Sequence, residues 1–208
     1  MPQVADLSRE IACPHSPVCG VDEVGRGPWA GPLVAGAAIL LPDHGVEGIA
    51  DSKSLTRVRR EYLADQLHKH ACVAIGVVEV AEIDLHGLTV ANDLAMARAV
   101  AALPERPQYA FVDGKRMPMG LGCQCETLIK GDALSLSIAA ASIVAKVARD
   151  RMMAELAKTY PQYGWETNAG YGVAAHRKAL SEYGVTPHHR RCFAPIREIL
   201  LQEQRLES

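Results

Sequence analysis

The sequence predicts an α/β fold in which helices flank a central mixed five-stranded sheet, with a small helical part at the C-terminus. Three observations predict this class. Five short segments have the apolar or β-branched composition of strands. Longer segments begin at capping residues and end at prolines or glycines, as helices do. Strands dominate the first part of the chain, helices and strands then alternate, and helices follow alone, which is typical of an α/β domain on a mixed sheet.

The first half of the chain predicts three strands and two helices. Residues 18–24 and 33–41 are rich in Val, Ile and Leu, and three glycines and two prolines interrupt the loop between them. We therefore expect two strands joined by a constrained turn. Thr56 is an expected N-cap for a helix that continues to about His70. Residues 72–80 are rich in β-branched side chains and predict a third strand, which would complete an antiparallel meander.

The second half predicts two strands, a long helix and a helical tail. The long helix, from Ala133 to Tyr160, is rich in alanine and serine. Small side chains let a helix approach its neighbours closely, so we expect this helix at the centre of the fold. We divide the chain into a core, residues 1–160, and a C-terminal extension, residues 161–208, within one structural unit. The remaining predicted elements are a helix at 88–102, strands at 108–112 and 124–129, and helices at 173–183 and 194–206.

Composition excludes several classes of protein. The 208 residues are 49% hydrophobic, and 22 basic against 24 acidic side chains give a net charge of −2. This balance excludes a disordered chain, and no apolar run reaches the ~18 residues of a membrane span. Residues 1–10 lack a basic region followed by an apolar stretch, so we expect a cytoplasmic protein with reduced cysteines. The near-neutral charge is unusual for a nucleic-acid-binding protein.

The segment Asp22-Glu-Val-Gly-Arg-Gly27 has the highest concentration of candidate functional residues in the sequence. It places two carboxylates at the end of a buried strand, followed by glycines whose backbone can approach a ligand closely. The alternative is that Asp22 caps a turn while Glu23 pairs with Arg26 on the surface. Residues 25–30 also match a dinucleotide fingerprint, but two prolines and a following strand replace the helix that such a motif must open. We therefore reject a nucleotide-binding oxidoreductase.

Two further acids lie at the ends of predicted elements. Asp113 ends the fourth strand, where open α/β sheets place their sites, although Asp-Gly is also an ordinary turn pair. Asp132 precedes the long helix, where an N-cap is the alternative interpretation. Oxygen ligands suit Mg²⁺ and Mn²⁺, and a pair of such ions can support phosphodiester cleavage. Cys123 and Cys125 leave a metal or redox role open, but they lack a second Cys/His pair at zinc spacing.

The chain resembles the ribonuclease HII family along nearly its whole length. Six segments carry the resemblance, in order from residue 20 to about 197. They are Gly20-Val-Asp-Glu-Val-Gly-Arg-Gly27, Asp51-Ser-Lys-Ser-Leu55, Val112-Asp-Gly114, Lys130-Gly-Asp-Ala133 followed by Ala139-Ala-Ala-Ser-Ile-Val-Ala-Lys146, Gly170-Tyr-Gly172, and Thr186-Pro-His-His-Arg-Arg-Cys-Phe193.

The resemblance implies a ribonuclease H-like fold and a metal-dependent endoribonuclease. The substrate would be the RNA strand of an RNA–DNA hybrid, or a single ribonucleotide embedded in duplex DNA that is cleaved on its 5′ side to leave 3′-hydroxyl and 5′-phosphate ends. It further implies a role in ribonucleotide excision and DNA replication. We expect a monomer that binds nucleic acid and no membrane, with no protein partner indicated. Two Mg²⁺ or Mn²⁺ ions would be bound by Asp22, Glu23, Asp113 and Asp132.

The resemblance also implies substrate-binding residues outside the carboxylates. The Gly25-Arg26-Gly27 loop resembles the family's junction-sensing element, and Tyr171 would stack on the deoxyribose after the ribonucleotide. The 2′-hydroxyl is the group that distinguishes RNA from DNA. The alternative for Tyr171 is a turn tyrosine packed on the last helices. Lys53 is a candidate phosphate or carboxylate contact, with a solvated loop lysine as the alternative.

A basic arm and three departures from the family pattern complete the prediction. Residues 168–197 hold five Arg or Lys against one acid, and we expect Arg190 and Arg191 to bind backbone phosphates. Family members often carry Lys and Thr where this chain has Ala169 and Val173, so the phosphate contact there is either missing or supplied by another residue, with His176 and Arg177 as candidates. Cys192 replaces the usual serine. A catalytically silent hybrid-binding module is the alternative function, but it predicts loss of a carboxylate, and all four are present.

Overall fold

A computed structural model describes residues 5–207, without the side chains of residues 203, 206 and 207. Residues 1–4 and 208 lie outside the described residues, so part of the segment that bears on a secretory signal is not described. The helices are α1 Ser8–Ala12, α2 Arg57–His70, α3 Val80–Ala101, α4 Leu136–Thr159, α5 Trp165–Asn168, α6 Ala174–Tyr183 and α7 Ala194–Glu207. The strands are β1 Val18–Val24, β2 Leu33–Ile39, β3 Cys72–Val78, β4 Tyr109–Asp113 and β5 Gln124–Leu128.

The predicted mixed five-stranded sheet is confirmed. Its strand order is β3-β2-β1-β4-β5. Strand β2 is antiparallel to β1 and β3, which gives the expected meander, while β1, β4 and β5 are mutually parallel neighbours. The parallel pairing brings the carboxyl ends of β1 and β4 to one edge of the sheet, and both strands carry acidic residues near those ends.

Helices cover both faces of this sheet. Alternate residues of β1 and β2, such as Val21 and Ala35, pack with α3 on one face, and Ala38 packs with α2 and α4 on the other. The predicted close approach of the long helix is confirmed at two glycines. A Cβ added to Gly20 would lie 2.1 Å from the backbone nitrogen of Ile138, and one added to Gly36 would lie 2.2 Å from the carbonyl oxygen of Ala141. These positions therefore fix α4 against the sheet.

Two helix starts differ from the prediction for identifiable reasons. Helix α3 begins at Val80 rather than residue 88, because the Glu79 backbone N–H donates to Glu82 Oε2 (3.3 Å) at its first turn. A break at Gly87 (φ 75°) then separates its two parts, and the sequence indicated only the second. Helix α4 begins at Leu136 rather than residue 133, because the Ser135 hydroxyl accepts the Ile138 N–H (3.2 Å).

The C-terminal extension packs on the far end of α4. Met153 and Ala157 of α4 share a buried cluster with residues of the extension such as Trp165, Leu180 and Ile196. The division at residue 160 stays a prediction. Within residues 5–207, each helix is too short or too polar to cross a membrane.

Candidate active site

Two carboxylates meet at the carboxyl ends of the central parallel strands. The β1–β4 register pairs Val21 with Val112, so the next positions, Asp22 and Asp113, are neighbours on adjacent strands about 4.8 Å apart along the backbone hydrogen bonds. Asp22 is buried, with 8% of its surface exposed, and its Oδ1 accepts the backbone N–H of Glu23 (2.7 Å). The sheet topology thus creates a carboxylate pair from residues 91 positions apart in the sequence.

Asp113 also holds the turn that carries Asp132. Its Oδ1 accepts the backbone N–H of Gly131 (2.7 Å), the first residue of a single 3₁₀ turn, Gly131–Ala133. Asp132 lies in this turn and is partly exposed. The alternative that Asp132 caps the long helix is wrong, because Ser135 does so. Asp132 is therefore left available for another role.

Burial and neighbouring negative charges raise the pKa values of three carboxyl groups at this edge of the sheet. Burial, followed by the charges of Glu23 and Asp113, raises the pKa of Asp22 to about 8. Burial and Asp113 also raise the pKa of Glu23, although Arg26 opposes the shift. The pKa of Asp132 is raised by burial and by the charges of Asp51 and Asp113. The charge of Asp113 contributes to all three shifts, although burial is the largest cause of each.

The chemistry of these side chains fits divalent cations. The group offers carboxylate oxygens, which Mg²⁺ and Mn²⁺ prefer, and a buried carboxylate beside others is costly unless a cation neutralises it. Among residues 5–207, no three His, Cys, Asp or Glu side chains are already arranged as a ligand set. The fit therefore rests on donor type and charge, and the assignment of Asp22, Glu23, Asp113 and Asp132 as ligands stays a prediction.

The loop at residues 51–53 borders the carboxylates. The hydroxyls of Ser52 and Ser142 lie 2.9 Å apart, and the Ser142 hydroxyl lowers the pKa of Asp22, against the effect of burial. Lys53 is exposed but close enough to Asp132 to oppose the rise of its pKa. Sequence reasoning did not select Asp51 or Ser142, although both lie inside the motifs that carry the family resemblance.

The glycine-rich loop lies beside Tyr171. Gly25 has a φ of +96°, a conformation that favours glycine, and Arg26 is exposed with its Nη1 3.6 Å from Glu23 Oε1. A Cβ added to Gly27 would lie 3.2 Å from Cε1 of Tyr171. Tyr171 is 47% exposed, so part of its surface is accessible to a substrate. The two predicted junction-sensing elements are therefore adjacent.

The structure contradicts two predicted phosphate contacts. Arg190 is fully buried, and its guanidinium donates to the carbonyl oxygens of Gly31 (2.8 and 3.0 Å), Pro32 (3.1 Å) and Arg26 (3.3 Å). It supports the glycine-rich loop from beneath and cannot reach a phosphate. His176 is likewise fully buried, which excludes a phosphate contact there.

Two other candidate phosphate contacts in the extension, Arg177 and Arg191, are exposed. Arg177 is exposed, lies over the Trp29 ring at 5.6 Å, and donates to the carbonyl of Gly172 (2.8 Å). Arg191 is also exposed, and its backbone N–H donates to Asp84 (3.0 Å). A phosphate contact by Arg191 stays a prediction.

A neutral histidine pair fixes the backbone of Tyr171. His189 Nδ1 accepts the Thr186 N–H (2.9 Å), so its Nε2 carries the proton and donates to His176 Nε2 (3.0 Å). His176 Nδ1 then donates to the carbonyl oxygen of Tyr171 (3.0 Å). Burial lowers the pKa of both rings, and for His189 burial and the adjacent His176 lower the pKa to about 3.

We expect the histidine pair to destabilise the fold in mild acid. Between the folded pKa of His189, about 3, and its ordinary value near 6.5, the unfolded chain binds the extra proton, so stability falls as the pH falls. From pH 6.5 to 5.0 the loss due to His189 is roughly 2 kcal/mol. Urea unfolding across this range should show a steeper pH dependence for the unmodified protein than for His189→Gln. Parallel curves for the two proteins would contradict the neutral pair.

Comparisons with known proteins agree on one family. The family model described as ribonuclease HII matches residues 19–196. A ribonuclease HII from Cereibacter sphaeroides is 54% identical over 201 residues, covering 97% of this chain and 93% of the relative. The crystal structure of ribonuclease H2 from Pyrococcus horikoshii matches with a TM-score of 0.79 at 31% identity, covering 90% and 98% of the two chains. An Archaeoglobus fulgidus RNase HII, in a complex with PCNA, matches with a TM-score of 0.73 at 25% identity, covering 85% and 94%.

Proposed function

Since this chain belongs to the ribonuclease HII family and is therefore an endoribonuclease that hydrolyses RNA in RNA–DNA hybrids, we propose that it also cleaves duplex DNA at single embedded ribonucleotides. The observation that supports this proposal best is the close approach of Tyr171 to Gly27, which lies in the loop that follows Asp22 and Glu23. In this arrangement the loop of Gly27 can contact the ribose, and Tyr171 can contact the sugar that follows it. The enzyme would thereby begin the removal of ribonucleotides left in DNA.

We assign binding of two divalent metal ions to four residues: Asp22, Glu23, Asp113 and Asp132. Members of this family use divalent metal ions, and Mg²⁺ or Mn²⁺ suits the all-oxygen donor set. When bound, the ions supply an activated water and stabilise the charge that develops on the leaving oxygen. The raised pKa values of Asp22, Glu23 and Asp132 support this assignment, because a bound cation would offset both the burial and the repulsion that raise them.

The chain's own residues position the scissile phosphate. Backbone groups of Gly25-Arg26-Gly27 hydrogen-bond the 2′-hydroxyl without an intervening side chain, and Tyr171 packs on the next deoxyribose. Water attacks the phosphorus on the 5′ side of the ribonucleotide, and the bond to the preceding 3′-oxygen breaks. That oxygen takes a proton, which leaves a 3′-hydroxyl and a 5′-phosphate, and no covalent enzyme intermediate forms. Lys53 and Arg191, both exposed, contact backbone phosphates of the duplex.

The test uses three labelled duplexes: DNA with one ribonucleotide, an RNA–DNA hybrid and all-DNA. With Mg²⁺ or Mn²⁺ we expect a single cut on the 5′ side of the ribonucleotide, none in all-DNA, and none in EDTA. Mapping of the product ends should show 3′-hydroxyl and 5′-phosphate groups. Metal-free cleavage, or cleavage of the hybrid alone, would contradict the proposal. Binding to the duplex without cleavage under either metal would favour the silent hybrid-binding alternative.

A further inference from the structure

A second buried guanidinium, that of Arg149, lies beneath the glycine-rich loop. Arg149 is in α4, seven residues after Ser142, and is fully buried. Its three donor nitrogens serve three different carbonyl oxygens: Nε donates to Pro32 (2.9 Å), Nη2 to Ala30 (3.1 Å) and Nη1 to Ala169 (3.0 Å). It also touches the start of the loop, because a Cβ on Gly25 would lie 2.3 Å from its Nε.

These contacts connect two segments that are far apart in the sequence. Ala30 and Pro32 belong to the loop that contains Gly27, whereas Ala169 begins the turn that contains Tyr171. The turn and the loop also meet directly, since the Trp29 N–H donates to the carbonyl oxygen of Gly170 (2.8 Å). The fit is tight, because a Cβ added to Gly170 would lie 2.4 Å from the carbonyl oxygen of Ala30.

Arg149 differs from the other buried arginine in what it joins. The carbonyl partners of Arg190 all lie between residues 26 and 32, so Arg190 supports one segment. Arg149 spans two segments and anchors both to the helix that carries Ser142. Within the described chain no carboxylate lies within 4.0 Å of the Arg149 guanidinium. A buried charge without a counter-ion is costly, so its retention at this position needs an explanation beyond the three hydrogen bonds to backbone carbonyl groups.

We propose that Arg149 is a positioning residue that sets the spacing between Gly27 and Tyr171 and thereby the preference for a ribonucleotide followed by a deoxyribonucleotide. The inference rests on the proposed function, in which those two residues read the junction. A strand that is RNA throughout has no deoxyribose for Tyr171 to contact, so its cleavage depends less on this spacing. Lysine cannot replace the arginine, because a single ammonium does not have the planar fork that reaches three carbonyl groups.

The test compares Arg149→Lys with Arg98→Lys as a matched control. Arg98 lies in α3, on the opposite face of the sheet, and also donates to a backbone carbonyl, that of Val77 (2.7 Å). For each protein, kcat/KM is measured on duplex DNA with one ribonucleotide and on an RNA–DNA hybrid. We expect Arg149→Lys to lose at least tenfold more activity on the first substrate than on the second, and Arg98→Lys to keep the ratio of the unmodified protein. A ratio within twofold of that of the unmodified protein in Arg149→Lys would overturn the proposal.

A second measurement does not depend on activity. The Trp29 amide, which bonds Gly170, should exchange its hydrogen at least tenfold faster in Arg149→Lys than in Arg98→Lys under conditions of equal global stability. If the unmodified protein fails to cut at single ribonucleotides, the proposed function fails, and the exchange rates alone decide whether Arg149 positions the turn. Unchanged exchange would overturn the positioning role.

A second variant covers a failure of Arg149→Lys to fold. Gly170→Ala disturbs the same contact between the turn and the loop while residue 149 remains an arginine, because its added Cβ would lie 2.4 Å from the Ala30 carbonyl oxygen that Arg149 binds. We expect the same loss of preference for the single ribonucleotide and the same faster exchange at Trp29. Retention of both properties in Gly170→Ala would count against the proposal.

Discussion

Replacement of Asp113 with asparagine is expected to lower kcat by about 10³-fold while raising the melting temperature of the metal-free protein. A divalent ion contributes several kcal/mol of transition-state stabilisation, and each 1.36 kcal/mol is tenfold in rate. Asp113 also raises the pKa values of Asp22, Glu23 and Asp132, so removal of its charge relieves repulsion. Asparagine keeps the oxygen that accepts the Gly131 N–H, and the turn should therefore stay in place.

The two effects are measured separately. Cleavage of an RNA–DNA hybrid is followed with Mg²⁺ and with Mn²⁺, and thermal unfolding is followed in EDTA. Asp65→Asn is the matched control, because Asp65 is an exposed carboxylate of α2 whose nearest cation is Arg151 at 3.5 Å. We expect that control to leave cleavage unchanged. A kcat for Asp113→Asn within tenfold of that of the unmodified protein would exclude Asp113 from the metal site.

Replacement of Tyr171 with alanine is expected to lower kcat/KM on a single embedded ribonucleotide by about 10- to 100-fold, since aromatic stacking on nucleic acid contributes roughly 1–3 kcal/mol. The loss on an RNA–DNA hybrid should be smaller, because no deoxyribose follows the cleaved position. Tyr171→Phe keeps the ring and should retain most of the activity on both substrates.

Single-turnover cleavage of the two substrates checks this expectation. Tyr183→Ala is the matched control, because Tyr183 is also an exposed tyrosine of the extension, at 55% exposure, and lies at the end of α6. Equal losses on both substrates in Tyr171→Ala would indicate general nucleic-acid binding instead of junction recognition.

Local sequence was sufficient to predict the structure of segments whose conformation depends mainly on their own residues. Residues 18–24 and 33–39 form strands because their side chains are apolar and the loop between them is rich in glycine and proline. Thr56 caps α2 as expected, with its side chain accepting the Arg59 N–H. The alanine-rich segment of α4 packs closely on the sheet because its small side chains and the strand glycines permit it.

Local sequence was insufficient where the environment decides a side chain's role. Arginine is a residue type that often binds phosphate, yet Arg190 is buried under the loop that it supports. Asp132 precedes a helix as an N-cap would, yet Ser135, three residues later, is the cap. Arg149 gave no separate signal in sequence reasoning, because nothing local distinguishes an arginine buried against backbone carbonyls from one in solvent.

The sequence by itself determined the strands, the main helices, the family and the four acidic residues, because these depend on local composition and on ordered motifs. Only the tertiary structure decided that the charge of Asp113 acts on three other carboxylates, that Gly27 and Tyr171 are adjacent, and that two guanidiniums support the loop from within. Each of these is a contact between segments distant in the chain. Burial and the distance between charges then set pKa values and hydrogen-bond partners, and both exist only after the chain has folded.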